Sequence, residues 1–197
     1  GRKSIPGRCA ARGAPGAPRD CGGRAHLRAT SHTHPALGAL VSQPDAAQNA
    51  LVYFEDIVVG RTHAHPGLSL TAADIIRFAT EFDPEVYHTD PALAQDTPVG
   101  GLIASGVHTL GLWRRMSFEA MRPRWAAVAG AGFERMRFYL PVRPGDTLRL
   151  SSEVIGKTAS RSKPDRGVIQ SQDQLTNQHG DVVLSLVCAA VVLKRTA

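Results

Sequence analysis

The feature that most limits the possible folds is a continuous apolar run, VVLSLVCAAVVL, at residues 182–193. A strand with one face in water alternates polar and apolar residues, whereas this run is apolar at almost every position. It is also well short of the roughly 18–20 residues that a membrane-spanning helix needs. The run therefore predicts a central β-strand that is covered on both faces.

Strand signals also precede this run, and turn sequences separate them. The turns are RPGD and NQHGD, which combine Pro, Gly, Asn and Asp residues that favour tight turns. The predicted strands span 128–138, 147–155, 167–177 and 181–193. A short extended stretch at 62–70 and an opening strand or turn at 52–59, which ends at Gly60, come before them.

A first helix is predicted over TAADIIRFATEF, residues 71–82. Thr71 can cap it, Asp74 completes a pattern that resembles a capping box, and apolar residues follow with helical spacing. Pro84 lacks a backbone donor and disfavours helix at the residue before it. The helix is therefore expected to end at Asp83.

A second helix is predicted over 107–121, and it is apolar on nearly every face as far as Trp113. A helix that is apolar all round is expected to be buried. One buried helix followed by four strands indicates an α+β domain in which an antiparallel sheet covers the helix.

The N-terminal segment, residues 1–50, differs in composition from the rest of the chain. It contains 7 Lys and Arg against 2 Asp and lacks aromatic residues, whereas residues 51–197 contain 16 basic and 15 acidic residues. A stretch rich in Gly, Pro, Ala and Arg is expected to be disordered, and no function is assigned to it. Because residues 51–197 are nearly neutral, nucleic-acid binding by this predicted domain is not expected.

Neither the three cysteines nor the closely spaced pair of His63 and His65 forms a metal-binding pattern. Cys9, Cys21 and Cys188 include no C-x-x-C pair, which argues against a disulfide framework or zinc site and favours a reducing cytoplasm. His63 and His65 are expected to share one face of an extended segment. Without a third ligand nearby, they favour a solvated or pocket-rim pair over a metal site. No metal is predicted.

The segment FDPEVYHTD, residues 82–90, contains the strongest candidate for chemistry. Asp83 and His88 are separated by four residues, and a carboxylate with an imidazole can divide the proton transfers of a reaction. On spacing alone, the pair could equally be a polar helix end and a loop histidine.

Five segments in one order resemble the MaoC-like dehydratases, the hotdog-fold group that includes (R)-specific enoyl-CoA hydratases. They are YFEDIVVG, FDPEVYHTDPALA, GGLIASGVHT, LPVRPGDTL and SRSKPDRG. The resemblance covers residues 51–197 and none of 1–50. It implies a curved antiparallel sheet wrapped around a long central helix, and pairing of two such folds in a homodimer or a higher homo-oligomer.

The resemblance also implies roles for particular residues. Asp83 and His88 would activate a water that adds across the double bond of an enoyl thioester, carried by CoA or an acyl-carrier protein. The Gly106 N–H would hold the thioester oxygen, with Ser105 and His108 as further substrate-binding candidates. His108 could also be an ordinary core histidine. No cofactor is implied.

Two alternatives to a hydratase stay open on the sequence. A thioesterase of the same fold usually has a carboxylate on or beside the central helix, but none occurs in the predicted helix before Glu119. A non-catalytic module that binds acyl thioesters is the other alternative, and the Asp83 and His88 pair argues against it.

Several further residues have an open assignment. Arg114 lies near the position where some hydratases of the MaoC-like group have a serine. Tyr87 and Trp113 are expected to pack beside an acyl pocket. A basic cluster could be a solvated hairpin loop or could contact CoA phosphates; its members are Lys157, Arg161, Lys163 and Arg166.

Overall fold

The computed structural model describes residues 50–195, so all but the last residue of the segment 1–50, for which disorder is predicted, lies outside the described part. Within it, a short 3-10 helix precedes five β-strands and four α-helices. The elements are the 3-10 helix Phe54–Asp56, β1 Thr62–Ser69, α1 Ala72–Phe82, α2 Val86–Thr89, α3 Pro91–Gln95, α4 Gly106–Ala120, β2 Ala127–Phe138, β3 Thr147–Ala159, β4 Arg166–Thr176 and β5 Val182–Leu193.

The five strands form one antiparallel sheet in the order β1-β3-β4-β5-β2. The apolar run of 182–193 is β5, and it is paired on both sides, with β4 and with β2. This confirms the α+β class and the antiparallel sheet. The outer strands are β1 and β2, so each has one edge without a partner among the described residues.

The main core lies between α4 and the sheet. Leu112, Trp113 and Met116 of α4 are buried in one cluster with apolar residues of β3, β4 and β5. The buried sheet residues of this cluster include Leu148, Leu150, Leu175, Leu184 and Leu186. Truncating a fully buried side chain such as Met116 to Ala typically costs about 2–5 kcal/mol, so this contact fixes α4 on the sheet.

The expectation that α4 is buried on all sides is wrong. Val107 is 59% exposed and Phe118 is 42% exposed, and Gly111 and Arg114 are exposed between them. Spacings of four, three and four residues place these positions on one helical face. We call this face the exposed stripe of α4. Only the opposite face packs on the sheet, and the apolar residues of the stripe have no cover in the described chain.

Two local expectations are also corrected. Residues 54–56 form a 3-10 helix instead of a strand or turn, and residues 86–95 form α2 and α3 instead of a loop. The cause in the second case is local. Asp90 accepts hydrogen bonds from the N–H groups of Ala92 and Leu93, and Pro91 occupies the first helical position, which it suits.

No helix in residues 50–195 is both long enough and apolar enough to cross a membrane.

Candidate active site

Asp83 lies where α1 ends, because its N–H makes the last helical hydrogen bond, to the carbonyl of Ala79. At the other end of α1 the predicted capping box between Thr71 and Asp74 is present, with both of its hydrogen bonds. Pro84 then turns the chain so that His88 returns on α2. This places Asp83 Oδ2 and His88 Nε2 3.6 Å apart.

Both side chains are partly shielded, but to different degrees. The His88 side chain is 7% exposed, and that of Asp83 is 33% exposed. His88 Nδ1–H donates to the carbonyl of Ile103 at 2.7 Å. Since a carbonyl can only accept, the proton of neutral His88 lies on Nδ1, and Nε2 presents its lone pair towards Asp83.

The 3.6 Å between Asp83 Oδ2 and His88 Nε2 is too long for a direct hydrogen bond. When the imidazole carries its proton only on Nδ1, both atoms are acceptors, so a molecule with two donors can satisfy them together. Water has this property and is the right size for such a bridge. The pair can therefore hold one water oxygen with a lone pair directed away from both side chains.

Ser105 connects Asp83 to the start of α4. Its hydroxyl donates to Asp83 Oδ2 at 2.5 Å and accepts from the N–H of Val107 at 3.1 Å. Ser105 is fully buried and is the N-cap residue of α4. The Ser105 hydroxyl thus contacts the Asp83 carboxylate and orients it. Substrate binding by Ser105, as expected from the sequence, stays a prediction.

Gly106 is the first residue of α4, and the first N–H groups of a helix lack partners within the helix. The Ser105 hydroxyl accepts a hydrogen bond from the N–H of Val107, while no group in residues 50–195 accepts one from the N–H of Gly106. A Cβ built on Gly106 would lie 3.3 Å from Phe138 Cζ, so a larger residue would crowd this position. The positive end of the helix dipole adds to the attraction of this N–H for an oxyanion.

One short segment holds these groups together, and we call residues 103–106 the connecting segment. Ile103 accepts from His88 and donates its own N–H to the carbonyl of Tyr87 at 3.0 Å. The N–H of Ala104 donates to the carbonyl of Val142 at 2.8 Å. The segment is therefore fixed by backbone bonds to α2 and to the chain before β3.

His108 lies apart from this hydrogen-bonded group. Its buried ring stacks on Phe78, with the centroids 4.3 Å apart and an interplanar angle of 9°. Its Nδ1 has no hydrogen-bond partner in residues 50–195. Burial lowers the pKa of His108, the nearby Arg77 lowers it further, and Asp74 opposes the shift. His108 is thus a neutral, buried ring with one unsatisfied nitrogen.

The two histidines of β1 have structural contacts. His65 Nε2–H donates to Glu119 at 2.9 Å, and its Nδ1 accepts the N–H of Gly67 at 3.2 Å. His63 lies edge-on to Trp125, and burial lowers its pKa. No group of three or more possible metal ligands occurs within residues 50–195.

Trp113 and part of the basic cluster also form hydrogen bonds or ion pairs within the fold. Trp113 is buried, and its indole N–H donates to Asp173 at 2.8 Å, so it belongs to the core. Lys157 donates to the carbonyls of Glu55 and Ile57, and Arg166 pairs with Asp165. Lys157 thus ties β3 to residues 55–57, while Arg166 pairs with the residue directly before it.

A family model for the MaoC like domain matches residues 56–174, which is more than half of the chain. The chain belongs to the MaoC-like domain family. This confirms the resemblance recognised in the sequence.

Solved structures confirm the architecture of this MaoC-like chain. A crystal structure of a MaoC-like dehydratase from Rhodospirillum rubrum is 34% identical, with a TM-score of 0.67 over 74% of this chain and 99% of that one. A Mycobacterium tuberculosis protein with a double hotdog fold is 21% identical, with a TM-score of 0.61 over 74% of this chain and 45% of that one. The fold is therefore the hotdog fold.

Among curated relatives, the mesaconyl-CoA hydratase of Cereibacter sphaeroides is 44% identical over 69 residues. The matched residues are 35% of this chain and 20% of that enzyme. The chain therefore spans only about a fifth of the length of that hydratase. Family membership supports a dehydratase or hydratase in general terms.

Changing Ser105 to Ala is expected to lower kcat of a dehydratase or hydratase reaction at this site about tenfold, because Asp83 loses the hydroxyl that orients it. Loss of the N-cap should also lower the free energy of unfolding by about 1 kcal/mol. Steady-state kinetics and urea unfolding measure the two effects. Ser105→Thr keeps a hydroxyl and is the matched control; equal loss of kcat in both variants would argue against the orienting role.

Proposed function

We propose that this chain reversibly hydrates a trans-2-enoyl thioester to a 3-hydroxyacyl thioester. The observation that carries the proposal is the placement of Asp83 and His88, whose Oδ2 and Nε2 atoms are 3.6 Å apart. The Ser105 hydroxyl donates to Asp83, and the next residue, Gly106, begins α4 with an N–H that has no acceptor among residues 50–195. Membership of the MaoC-like family and the partial match to a hydratase that acts on a CoA thioester support it.

The proposed reaction uses one water for both new bonds. The water oxygen attacks the β-carbon of the enoyl group while His88 Nε2 accepts one of its protons. Asp83 accepts a hydrogen bond from the other hydrogen, which orients the water and stabilises the imidazolium ion that forms. His88 then returns the proton to the α-carbon on the same face. The hydroxyl and the proton of one water are thus both added, without a cofactor.

The negative charge of the intermediate needs its own partner. As the β-carbon is attacked, charge develops on the thioester oxygen. The N–H of Gly106 is proposed to donate to this oxygen, since it has no other acceptor among residues 50–195 and lies at the positive end of α4. The close Phe138 ring keeps this position narrow.

The proposal is tested with purified protein and a panel of enoyl-CoA thioesters, beginning with crotonyl-CoA. Hydration removes the conjugated double bond, so its ultraviolet absorbance falls, and the 3-hydroxyacyl product can be identified by mass. Release of free CoA thiol instead would indicate a thioesterase. Binding without either reaction would indicate the non-catalytic module, and both of these outcomes contradict the hydratase.

The protein is expected to be a homodimer or a higher homo-oligomer. β2 is an outer strand, all of its residues are exposed, and its large apolar side chains include Val128, Phe133, Met136 and Phe138. An uncovered apolar strand edge favours pairing with a second chain. Light scattering coupled to size-exclusion chromatography should give at least twice the chain mass, and a monomer at micromolar concentration would contradict this expectation.

A further inference from the structure

A group of three arginines surrounds one aromatic ring near the end of α4. The guanidinium carbons of Arg124, Arg114 and Arg122 lie 3.9, 5.6 and 6.0 Å from the centroid of the Phe118 ring. All four side chains are exposed. We call them the Phe118 arginine cluster.

The cluster lacks a counter-charge in the described chain. Between residues 50 and 195, no carboxylate lies within 4.0 Å of the Arg114, Arg122 or Arg124 side chain. Arg115, the next residue along α4, differs because it pairs with Glu119 at 2.9 Å. The positive charge is therefore concentrated at three positions, although residues 51–197 have a formal balance of only +1, from 16 basic and 15 acidic residues.

This concentration of charge requires an explanation. Each guanidinium gains from the face of the Phe118 ring, but the three cations repel one another. The dipole of α4 favours cations only within about its last turn, and Arg114 lies six residues before its end at Ala120. A ligand with several negative charges would offset the repulsion. Guanidinium groups are suited to phosphates because they donate two parallel hydrogen bonds.

The exposed stripe of α4 leads from the candidate active site to this cluster. From Gly106 to Phe118 the helix rises about 18 Å, at about 1.5 Å per residue. Midway along the stripe, a Cβ built on Gly111 would meet no atom within 4 Å, so the helix surface is open there. The pantetheine arm of CoA has about 13 bonds between sulfur and phosphorus and spans about 15 Å when extended, by comparison with the three-bond peptide unit.

We propose that the Phe118 arginine cluster binds the phosphate groups of the CoA that carries the thioester, with the pantetheine arm lying along the exposed stripe. This inference rests on the proposed function, because it places the thioester at Gly106. Two observations carry it: the extended arm covers about 15 Å of the roughly 18 Å between Gly106 and Phe118, a difference that long arginine side chains can span, and no carboxylate lies beside the three described arginines. The other basic cluster, which the sequence suggested for CoA phosphates, is less suited to them, because its members Lys157 and Arg166 already have partners within the fold.

The test compares two substrates with the same acyl group. Crotonyl-CoA has the nucleotide phosphates, whereas crotonyl-pantetheine lacks them. R114Q, R122Q and R124Q should each raise KM for crotonyl-CoA about threefold, and the triple variant about thirtyfold, as expected for exposed ion pairs. For crotonyl-pantetheine, KM should stay unchanged in all variants, and kcat should stay unchanged for both substrates. R115Q is the matched control, because Glu119 already neutralises Arg115.

A second measurement does not depend on turnover. Adenosine 3′,5′-bisphosphate, which has the nucleotide phosphates without the arm, should bind the wild type in calorimetry and bind the triple variant about thirtyfold more weakly. Added salt should weaken the wild-type binding and reduce the difference.

The outcomes separate the two proposals. If the wild type hydrates both substrates and the triple variant shows no change in KM for crotonyl-CoA, the phosphate site is wrong and the hydratase stands. If the wild type hydrates neither substrate or any other enoyl thioester, the proposed function fails. A variant effect confined to a substrate on an acyl-carrier protein would show that the cluster meets an acidic protein, and would overturn the inference.

Discussion

Replacing Asp83 by Asn is expected to lower kcat for enoyl-CoA hydration about a thousandfold, within the range found for lost acid–base groups. Asn has nearly the shape of Asp, so the packing around Ser105 and His88 should be kept. However, Asn lacks the negative charge that stabilises the imidazolium ion of His88. Its amide can also present a donor where the water needs an acceptor. His88→Gln should cause a loss of similar size, because it removes the base itself.

The matched control for Asp83→Asn is Glu85→Gln. Glu85 is an exposed carboxylate two residues further on, and as the residue before α2 its side chain caps no backbone N–H of that helix. This variant should keep wild-type kcat within about twofold, since ordinary surface substitutions have small effects. Circular dichroism and urea unfolding should show that all three variants are folded. Wild-type activity in folded Asp83→Asn would eliminate the proposed water-binding pair.

The second large effect is on stability and concerns Asp173 on β4, which is 2% exposed. Its carboxylate accepts the indole N–H of Trp113 at 2.8 Å and the hydroxyl of Ser152 at 2.6 Å. Asp173→Ala would leave both donors buried without this partner and would also create a cavity. We expect it to lower the free energy of unfolding by about 3 kcal/mol. Urea unfolding measures this directly.

Two other variants make the stability result specific. Asp173→Asn keeps an acceptor for the indole N–H and should cost less than about 1 kcal/mol. Glu153→Ala removes an exposed carboxylate from β3, next to Ser152, and should change stability by less than about 0.5 kcal/mol. An equal loss in Asp173→Ala and Glu153→Ala would show that the buried hydrogen bonds do not stabilise the fold.

The pH dependence of this effect has a definite sign. Burial raises the pKa of Asp173, although the hydrogen bonds from Ser152 and Trp113 oppose the shift. The folded state therefore binds this proton more tightly than the unfolded state, whose Asp pKa is about 3.9. As pH rises from about 4 through the raised pKa, ionisation of the buried carboxyl destabilises the fold. The wild type should thus lose stability relative to Asp173→Asn over that range.

The sequence contained enough information for the architecture because its main signals are local. The apolar run of 182–193, interrupted only by Ser185, predicted an interior strand, and it is one, because β5 pairs with β4 and with β2. The end of α1 at Asp83 follows from Pro84 alone, and its start follows from the capping pair of Thr71 and Asp74. Such signals depend on neighbouring residues, so they can be interpreted before any tertiary contact is known.

What the sequence could not predict depends on contacts between distant segments. Asp173 is an example, because its strand sequence QSQDQ is typical of a solvated face, while Trp113 and Ser152 are 60 and 21 residues away. The exposed stripe of α4 was missed for a related reason. Apolar residues on all faces predict burial, but which face meets the sheet is decided by packing. The bond from Ser105 to Asp83 likewise spans 22 residues.

The connecting segment has a consequence for changing the chemistry of this fold. Within four residues it holds His88, the proposed base, through the Ile103 carbonyl, the Asp83 carboxylate through Ser105, and the proposed oxyanion donor at Gly106. An insertion or deletion between 103 and 106 would therefore shift the proposed water-binding pair and the proposed oxyanion donor relative to each other in a single step. Substrate range is more safely altered outside it, where side chains can be exchanged while the spacing between the reacting groups is kept.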